Sequence, residues 1–334
     1  MKIVLCGITK TIFMSRFKTI DYTSATHKLN EILFDVSAVN LITTDAFNKD
    51  LSNLNVDNYV AIVNENNKQI LSVVSKKYHL FTNKQALELG KQAFVQLFPS
   101  CKIEELIPFK VIAPSTKTFC HIDLIHKDVN FNAWEQETWL PFVRITNSYN
   151  RTFSLAFELG FVRKLCSNGV IFDKQTIKVK FNHTKGSIPV SIVSDVSKLK
   201  KLENEFKEHL LNLKRFHINR KMSFAIICKA LNLDWKDHDG DDKQHAYINF
   251  KTKALELTNV YMDIDGECAF AVMNVMTDLV SHQDDYKNIP LFNMRANQYY
   301  NRISTWMVDY CKEAEKRDFK VDAYLGQFIK FSES

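Results

Sequence analysis

The end of one apolar run carries two residues that could contact phosphate groups, Arg163 and Lys164, followed by Cys166, Asn168 and Gly169. Arginine and lysine contact phosphate oxygens, and the amide of Asn168 can read a neighbouring group. A structural interpretation stands beside this one. Arg163 would pair with a carboxylate, Cys166 would be a small core residue, and Asn168 with Gly169 would form a turn. The residue types alone leave both interpretations open.

Acidic residues of the C-terminal part indicate a second chemistry, metal-dependent hydrolysis. Asp237 and Asp239 lie in one acidic run, and Asp263 and Asp265 lie in another. Carboxylates that share two divalent ions form the centre of a two-metal nuclease site. A calcium loop is excluded, because Gly240 is the fourth residue from Asp237 and an EF-hand needs glycine at the sixth. A metal-dependent nuclease is therefore an alternative to a solvated acidic turn.

Histidine and cysteine spacing predicts no further site. His121 and Asp123 share one face of a predicted strand and His126 lies on the other, which argues against a metal site. Cys166 and His183 are a conceivable thiolate and base, but nothing in the sequence places them together. The phosphate-loop, dinucleotide and hydrolase motifs are absent. We therefore predict no catalytic residue, no metal and no cofactor, and a binding protein rather than an enzyme.

Positive charge is concentrated in the middle of the chain. The net charge is +6, yet residues 163–221 hold 14 Lys/Arg against 5 Asp/Glu, and residues 222–334 hold 13 against 18. Such a segment is the electrostatic signature of a polyanion partner, and a solvated basic face is the simpler explanation. The predicted contacts are Arg163, Lys164, Lys174, Lys178, Lys180, Lys185, Lys198, Lys200 and Lys201. Alternation places Phe153, Phe157 and Phe161 on one strand face, which we expect to be buried.

Periodicity predicts strands first and helices afterwards. A short helix over Thr26–Phe34 is followed by loop, and a hairpin follows over Tyr59–Val63 and Gln69–Val74. A helix from about Lys84 to Phe98 begins at Thr82 or Asn83. Five further strands suit an antiparallel meander with one buried face, at Phe109–Ala113, Thr118–Ile125, Trp139–Asn147, Thr152–Val162 and Gln175–Phe181. Helices are predicted from Ser194 or Asp195 onward, then at Met222–Leu231, Ala269–His282 and Tyr299–Lys316.

This order predicts an α+β fold: an antiparallel β-meander, one long amphipathic helix and a mostly helical C-terminal part. We predict a peripheral segment at 1–58, a β-rich core at 59–190 and a helical part at 191–334, packed on or beside the sheet. Seven cysteines without a CxxC pair indicate reduced thiols in a cytoplasmic protein. No apolar window is long enough to cross a membrane.

Several short sequence motifs occur in the order in which one protein family has them. They are Leu71–Tyr78 with Thr82–Ala86, Thr146–Asn150, Val162–Arg163 with Cys166–Asn168, His183–Thr184, and Asn274–Thr277 with His282. Over roughly residues 55–315 the chain resembles the phage/plasmid-like proteins, a family with a domain of unknown function found in viral and mobile-element genomes. From this resemblance we expect Asn147, Cys166, Asn168 and Gly169 to be the residues of a structural family signature. The chain departs from the family pattern at Tyr149–Arg151, where an Asp-Gly turn is commoner. The resemblance implies a viral or mobile-element setting but no particular activity.

We therefore predict a phage-type nucleic-acid-binding protein that binds or anneals single-stranded DNA in recombination or replication, acting in the host cytoplasm. A homo-oligomer would present the strand for pairing. One alternative, besides the nuclease, is an inhibitor that binds a host defence protein through its acidic C-terminal part.

Overall fold

The computed structural model describes residues 21–44, 50, 54–165, 168–171, 178–181, 197–233, 241–282 and 296–332. The strands are β1 Val36–Ile42, β2 Asn55–Asn64, β3 Ile70–Ser75, β4 Ile107–Ile112, β5 Phe119–Ile125, β6 Phe131–Trp134, β7 Glu137–Ser148, β8 Leu155–Arg163, β9 Gly169–Ile171 and β10 Lys178–Phe181. The α-helices are α1 Tyr22–Ile32, α2 Asn83–Leu97, α3 Ser197–Arg215, α4 Arg220–Leu231, α5 Asp241–Asp265, α6 Ala269–Ser281, α7 Ala296–Ala314 and α8 Val321–Leu325. Short 3-10 helices cover Ile103–Glu105 and Gly326–Phe331. The predicted α+β class is confirmed.

The larger of two antiparallel sheets has seven strands in the order β10-β8-β7-β5-β4, with β6 added beside β7 and β9 beside β8. Its centre is the long hairpin of β7 and β8, in which Trp139 pairs with Arg163 and Thr146 pairs with Ala156. β5 continues the sheet from β7, with Ile125 opposite Phe142. This sheet carries Arg163, Gly169, Asn147 and the two lysines of β10, which the sequence singled out.

Both faces of the central hairpin are buried. Every residue of β8 is buried, as are all but one of β7. Helix α2 covers one face so closely that a Cβ on Gly90 would lie 2.2 Å from a carbon of Ile145. On the other face, Tyr300 of α7 lies over Arg144. The prediction of a single buried face was wrong, because the polar side chains of the second face satisfy one another instead of facing water.

The helical part packs directly on the sheet. One hydrophobic core runs from Leu29 of α1 to Phe331 near the C-terminus. Phe206 of α3 stacks on Phe161 of β8, with ring centroids 4.6 Å apart. Phe157 and Phe161 are buried as expected, but Phe153 precedes β8 and contacts the ring of His121 at 5.4 Å. The prediction that all three phenylalanines share one buried strand face was therefore wrong for Phe153, which lies outside the strand.

A second sheet has three strands in the order β1-β2-β3. One face packs on a small cluster of Phe34, Ile62, Leu71, Val74 and Tyr149. The other face is apolar and open: Val39, Tyr59, Ile70 and Val73 are 46%, 49%, 60% and 54% exposed. The sequence predicted the hairpin of β2 and β3 but placed loop where β1 lies.

The N-terminus of α2 confirms a prediction made from residue types. The Thr82 hydroxyl accepts a hydrogen bond from the backbone N–H of Gln85, and the Gln85 side chain accepts one from the N–H of Thr82. This reciprocal pair satisfies two donors that the first turn leaves free. Among the helices of the described residues, none has the length and apolar character needed to cross a membrane.

Candidate nucleic-acid interface and the buried polar network

A row of alternating charges crosses the large sheet. Lys110 of β4 stands opposite Asp123 of β5, Asp123 opposite Arg144 of β7, and Arg144 opposite Glu158 of β8. In an antiparallel ladder, directly opposed residues project to the same face. Lys178 of β10 is the residue opposite Glu158 in the backbone register. We call Lys110, Asp123, Arg144 and Glu158 the charge ladder.

The centre of the charge ladder is a buried, two-point ion pair. Arg144 donates from Nε to Asp123 Oδ1 and from Nη2 to Oδ2, both at 2.6 Å. Both side chains are at most 2% exposed. Burial opposes the charged guanidinium, but the Asp123 carboxylate outweighs it, so that the pKa of Arg144 is raised. The Arg144 guanidinium therefore stays charged at every ordinary pH, and its two hydrogen bonds hold both side chains in the interior.

His121 lies two residues from Asp123 on the same face and is kept neutral. Its Nδ1 is 2.8 Å from the hydroxyl of Thr146. Burial, followed by the positive charges of Arg144 and Lys110, lowers the pKa of His121 to about 3. A neutral imidazole is needed here, because a third cation in this interior would have no partner.

Helices α6 and α7 close the face of the charge ladder. Lys110 Nζ donates to the carbonyl of Ser281 at 2.6 Å and to the Tyr300 hydroxyl at 3.3 Å. The Arg144 guanidinium lies 5.2 Å from the centre of the Tyr300 ring, a cation–π distance. The Ser281 hydroxyl contacts Tyr300 at 2.9 Å and accepts from the backbone N–H of Gly169. The face is thus sealed by polar contacts from distant parts of the chain.

Arg163 is the centre of a second buried ion cluster. It donates to both carboxylate oxygens of Glu137 at 2.7 and 2.8 Å, and to those of Asp265 at 3.2 and 3.1 Å. Its guanidinium lies 5.0 Å from the centre of the Phe270 ring. Burial raises the pKa of Glu137 although Arg163 lowers it. Since Arg163 is 2% exposed and holds two carboxylates, it has no donor directed at a phosphate outside.

Asn168 joins the second ion cluster to helices α5 and α6. Its Nδ2 donates to the Tyr261 hydroxyl at 2.7 Å and to the Asn274 carbonyl at 3.2 Å. Asn274 Nδ2 in turn donates to Asp265. His282 Nε2 is 3.2 Å from Asn168 Oδ1. The amide that the sequence suggested for reading a ligand is therefore occupied within the protein.

The remaining signature residues also bind across elements. Asn147 Nδ2 donates to the Phe81 carbonyl and to Asn83 Oδ1 at the start of α2. The Tyr78 hydroxyl donates to the carbonyl of Ser148 at 2.7 Å. These contacts fasten the hairpin and α2 to the far end of β7. Those of the motifs that the structure describes, although separate in sequence, are thus parts of one internal scaffold.

The predicted lysines are distributed over the surface and the edge of the sheet. Lys164 is exposed directly after the buried Arg163. Lys178 and Lys180 belong to β10, the outer strand of the large sheet. Lys198 and Lys200 lie in the first turn of α3, and Lys201 is exposed 3.7 Å from Glu205. Lys174, Lys185, Cys166 and His183 fall outside the described residues, and Gly169 begins β9.

Two of the four acids proposed for a nuclease, Asp263 and Asp265, are engaged with arginines. Asp265 binds Arg163, and Asp263 accepts from Arg220 at 2.7 Å. In the described residues, no three His, Cys, Asp or Glu side chains are grouped as metal ligands would be. Asp237 and Asp239 lie outside those residues. His126 binds Glu105 at 3.0 Å. In the described residues it makes no contact with the Arg144–Asp123 pair.

Sequence reasoning missed the charge ladder, although the hairpin register carries a signal for it. Any hairpin centred on the turn at Arg151 places Arg144 opposite Glu158, because both are seven residues from the turn. The alternation of charge sign between predicted neighbouring strands was the available evidence. Tyr300 could not have been found in this way, since it arrives from another part of the chain.

Comparison with known proteins gives one assignment. No curated protein and no solved structure matches the chain. The family described as "Domain of unknown function (DUF932)" matches residues 70–305, which is more than half of the chain and includes the charge ladder and both ion clusters. The chain therefore belongs to the family with this domain of unknown function, DUF932.

Proposed function

We propose that the protein binds single-stranded nucleic acid through the lysines that follow Arg163, and not through Arg163 itself. The observation that carries the proposal is the balance of 14 basic against 5 acidic residues over 163–221, with two of the lysines on the edge strand β10. Phosphate neutralisation by lysine needs exposed cations and no fixed geometry. The backbone places Lys178 and Lys180 two residues apart on this edge strand.

The described cations of this segment fall into two groups. Arg163, Lys214 and Arg220 bind acceptors of the protein itself: Arg163 as above, Lys214 at the Asp265 carbonyl, and Arg220 at Asp263 and Glu267. Lys164 and Lys201 are exposed. Lys201 has Glu205 as a surface partner, and an exposed pair of this kind is worth little. Arg215 and Lys221 are exposed as well. The available charge therefore lies mainly in exposed lysines, which supports binding without sequence preference.

The setting is part of the same proposal. A family resemblance to phage and plasmid proteins supports a role in recombination or replication of a mobile element, in the cytoplasm of its host. The partner is single-stranded DNA in preference to RNA, and several copies of the chain would present one strand for annealing. Inhibition of a host defence protein stays a separate prediction, which a stoichiometric host protein in a pull-down would favour.

Fluorescence anisotropy with a labelled thirty-nucleotide oligo-dT tests the proposal. We expect binding at low salt, with an affinity that falls steeply as salt rises. The double variant Lys178→Gln/Lys180→Gln should make the slope of log affinity against log salt shallower by about 1.4, since each contact to a single strand contributes about 0.7.

The matched control is Lys312→Gln/Lys320→Gln, which removes two exposed lysines from the acidic C-terminal part. It should leave the slope of the wild type unchanged. Absence of binding by the wild type at roughly 50 mM salt, where phosphate contacts are strongest, would refute the proposal. Equal slopes for both double variants would remove β10 as the contact.

A further inference from the structure

Two outer strands of the large sheet, β4 and β10, have features that oppose pairing with another chain. β4 contains Pro108 and Lys110, and helix α1 packs along it. β10 contains Lys178 and Lys180. Lysine and proline on an edge, or a helix laid over it, prevent pairing with another chain.

Strand β1 of the small sheet has none of these features. Its sequence Val36–Ile42 contains neither a charged residue nor proline. Val39 and Ile42 are 46% and 54% exposed, and within the described chain β2 is the sole strand paired with β1. The register shift after Asn40 places the extra residues in β2, so that β1 itself is continuous. In the residues that the structure describes, the outer side of this seven-residue strand therefore has no strand paired to it.

The other edge of the same sheet differs in two respects. β3 carries a bulge of its own, because Ile62 pairs with Ser72 and Val63 with Ile70, which leaves Leu71 unpaired. Lysines flank β3 on both sides, at Lys68 and at Lys76 with Lys77. A bulge and flanking charges both oppose edge-to-edge pairing. The protection that β1 lacks is present on β3.

We propose that two copies of this chain pair through β1, antiparallel about a two-fold axis at Val39. The axis follows from pairing all seven residues, which sets Val36 against Ile42 and Val39 against its own copy. No like charges meet in this register. The flanking Asp35 is neutralised by Lys84 at 2.5 Å, and the residue that it would face is Thr43. A charge-free strand is thus compatible with itself, as a two-fold interface requires.

Pairing would also join the two open apolar faces. Val39, Tyr59, Ile70 and Val73 of each copy would form one six-stranded sheet surface, which is more stable than an isolated three-stranded one. This proposal is independent of nucleic-acid binding, since β1 belongs to neither the basic segment nor the charge ladder. The partner proposed for this edge is a second copy of the same chain.

Sedimentation of the full chain at micromolar concentration tests the pairing. We expect a dimer for the wild type and a monomer for Val39→Lys, because the axis would place two lysines in contact. The matched control is Val73→Lys, which puts the same charge at similar exposure on the opposite edge strand and should remain dimeric. Thermal melts should show both variants folded.

A cross-link provides a second measurement that does not depend on weakening the protein. Opposed residues of an antiparallel pair have Cβ atoms about 4.5–5.5 Å apart, close to the distance that a disulfide needs. Val39→Cys should give a covalent dimer on mild oxidation, and Val73→Cys should not exceed the wild-type background. A monomeric wild type, dissociation by Val73→Lys instead of Val39→Lys, or equal cross-linking of both cysteines would overturn the proposal.

Discussion

The two sheets place polar and apolar residues in opposite ways. In the large sheet, Asp123 and Arg144 pair in the interior, and Glu158 is buried opposite Arg144. In the small sheet, Val39 and Val73 lie in the open. Alternation of polar and apolar residues therefore identifies a strand without telling which face meets water. A face with polar residues can be buried when each polar group has a partner on the neighbouring strand.

The largest expected difference concerns the two ion pairs. Asp123→Ala should lower the free energy of unfolding by about 3–5 kcal/mol, because it leaves Arg144 charged and buried without a partner. Asp35→Ala removes an exposed partner of Lys84 beside the small sheet and should cost under about 1 kcal/mol. Urea unfolding of both variants measures the contrast. Similar losses would show that the interior pair is hydrated.

Acid should act on the large sheet through His121. The unfolded chain takes up a proton near pH 6.5, whereas folded His121 does so only at about 3. The unfolded state therefore binds more protons between these values, and stability falls as pH drops through them. We expect a loss on the order of 2–3 kcal/mol at about pH 4.5. His121→Gln should flatten this part of the pH profile, and an unchanged profile would contradict the assignment.

Close packing against the large sheet predicts an intermediate effect. Gly90→Ala should destabilise the protein by about 1–3 kcal/mol, because the added methyl group meets Ile145 and Phe157. Gly90→Ala/Ile145→Ala removes both clashing carbons, so the loss in the double variant should be smaller than the sum of the two single losses. A single variant as stable as the wild type would show that α2 lies farther from the sheet.

The smallest effect is expected on the open face of the small sheet. Ile70 is 60% exposed, so Ile70→Ala should change the free energy of unfolding by no more than about 0.5 kcal/mol. Calorimetry at low protein concentration provides the measurement. A loss above about 2 kcal/mol, as in a buried position, would mean that this face is covered in solution.

The sequence predicted elements whose signals are local. The α2 cap, the β2–β3 hairpin and the order of strands before helices all follow from spacing and residue type. It missed α5, because the buried stripe of Phe250, Ala254 and Tyr261 is interrupted by the polar residues Thr258 and Asp265. It missed β1 for a related reason, since an open apolar strand resembles loop when nothing marks its partner.

The candidate site was predicted in part. Two interpretations of Arg163 were open, and the carboxylate pair is what the structure contains. The choice could not be made earlier, because Glu137 and Asp265 lie 26 and 102 residues away. The lysines were identifiable from composition alone, since exposed charge needs no tertiary partner. Their role in binding stays a prediction.

Tyr300 closes the charge ladder although 156 residues separate it from Arg144. At about 5–20 residues per second, a ribosome needs roughly 8–30 seconds to supply that helix after the central strand. During this interval one side of the hairpin lacks its cover. An entirely aliphatic surface there would invite aggregation of the nascent chain, whereas paired ions keep it hydrated. The charges that are paired inside the folded protein thus also keep the incomplete chain soluble during synthesis.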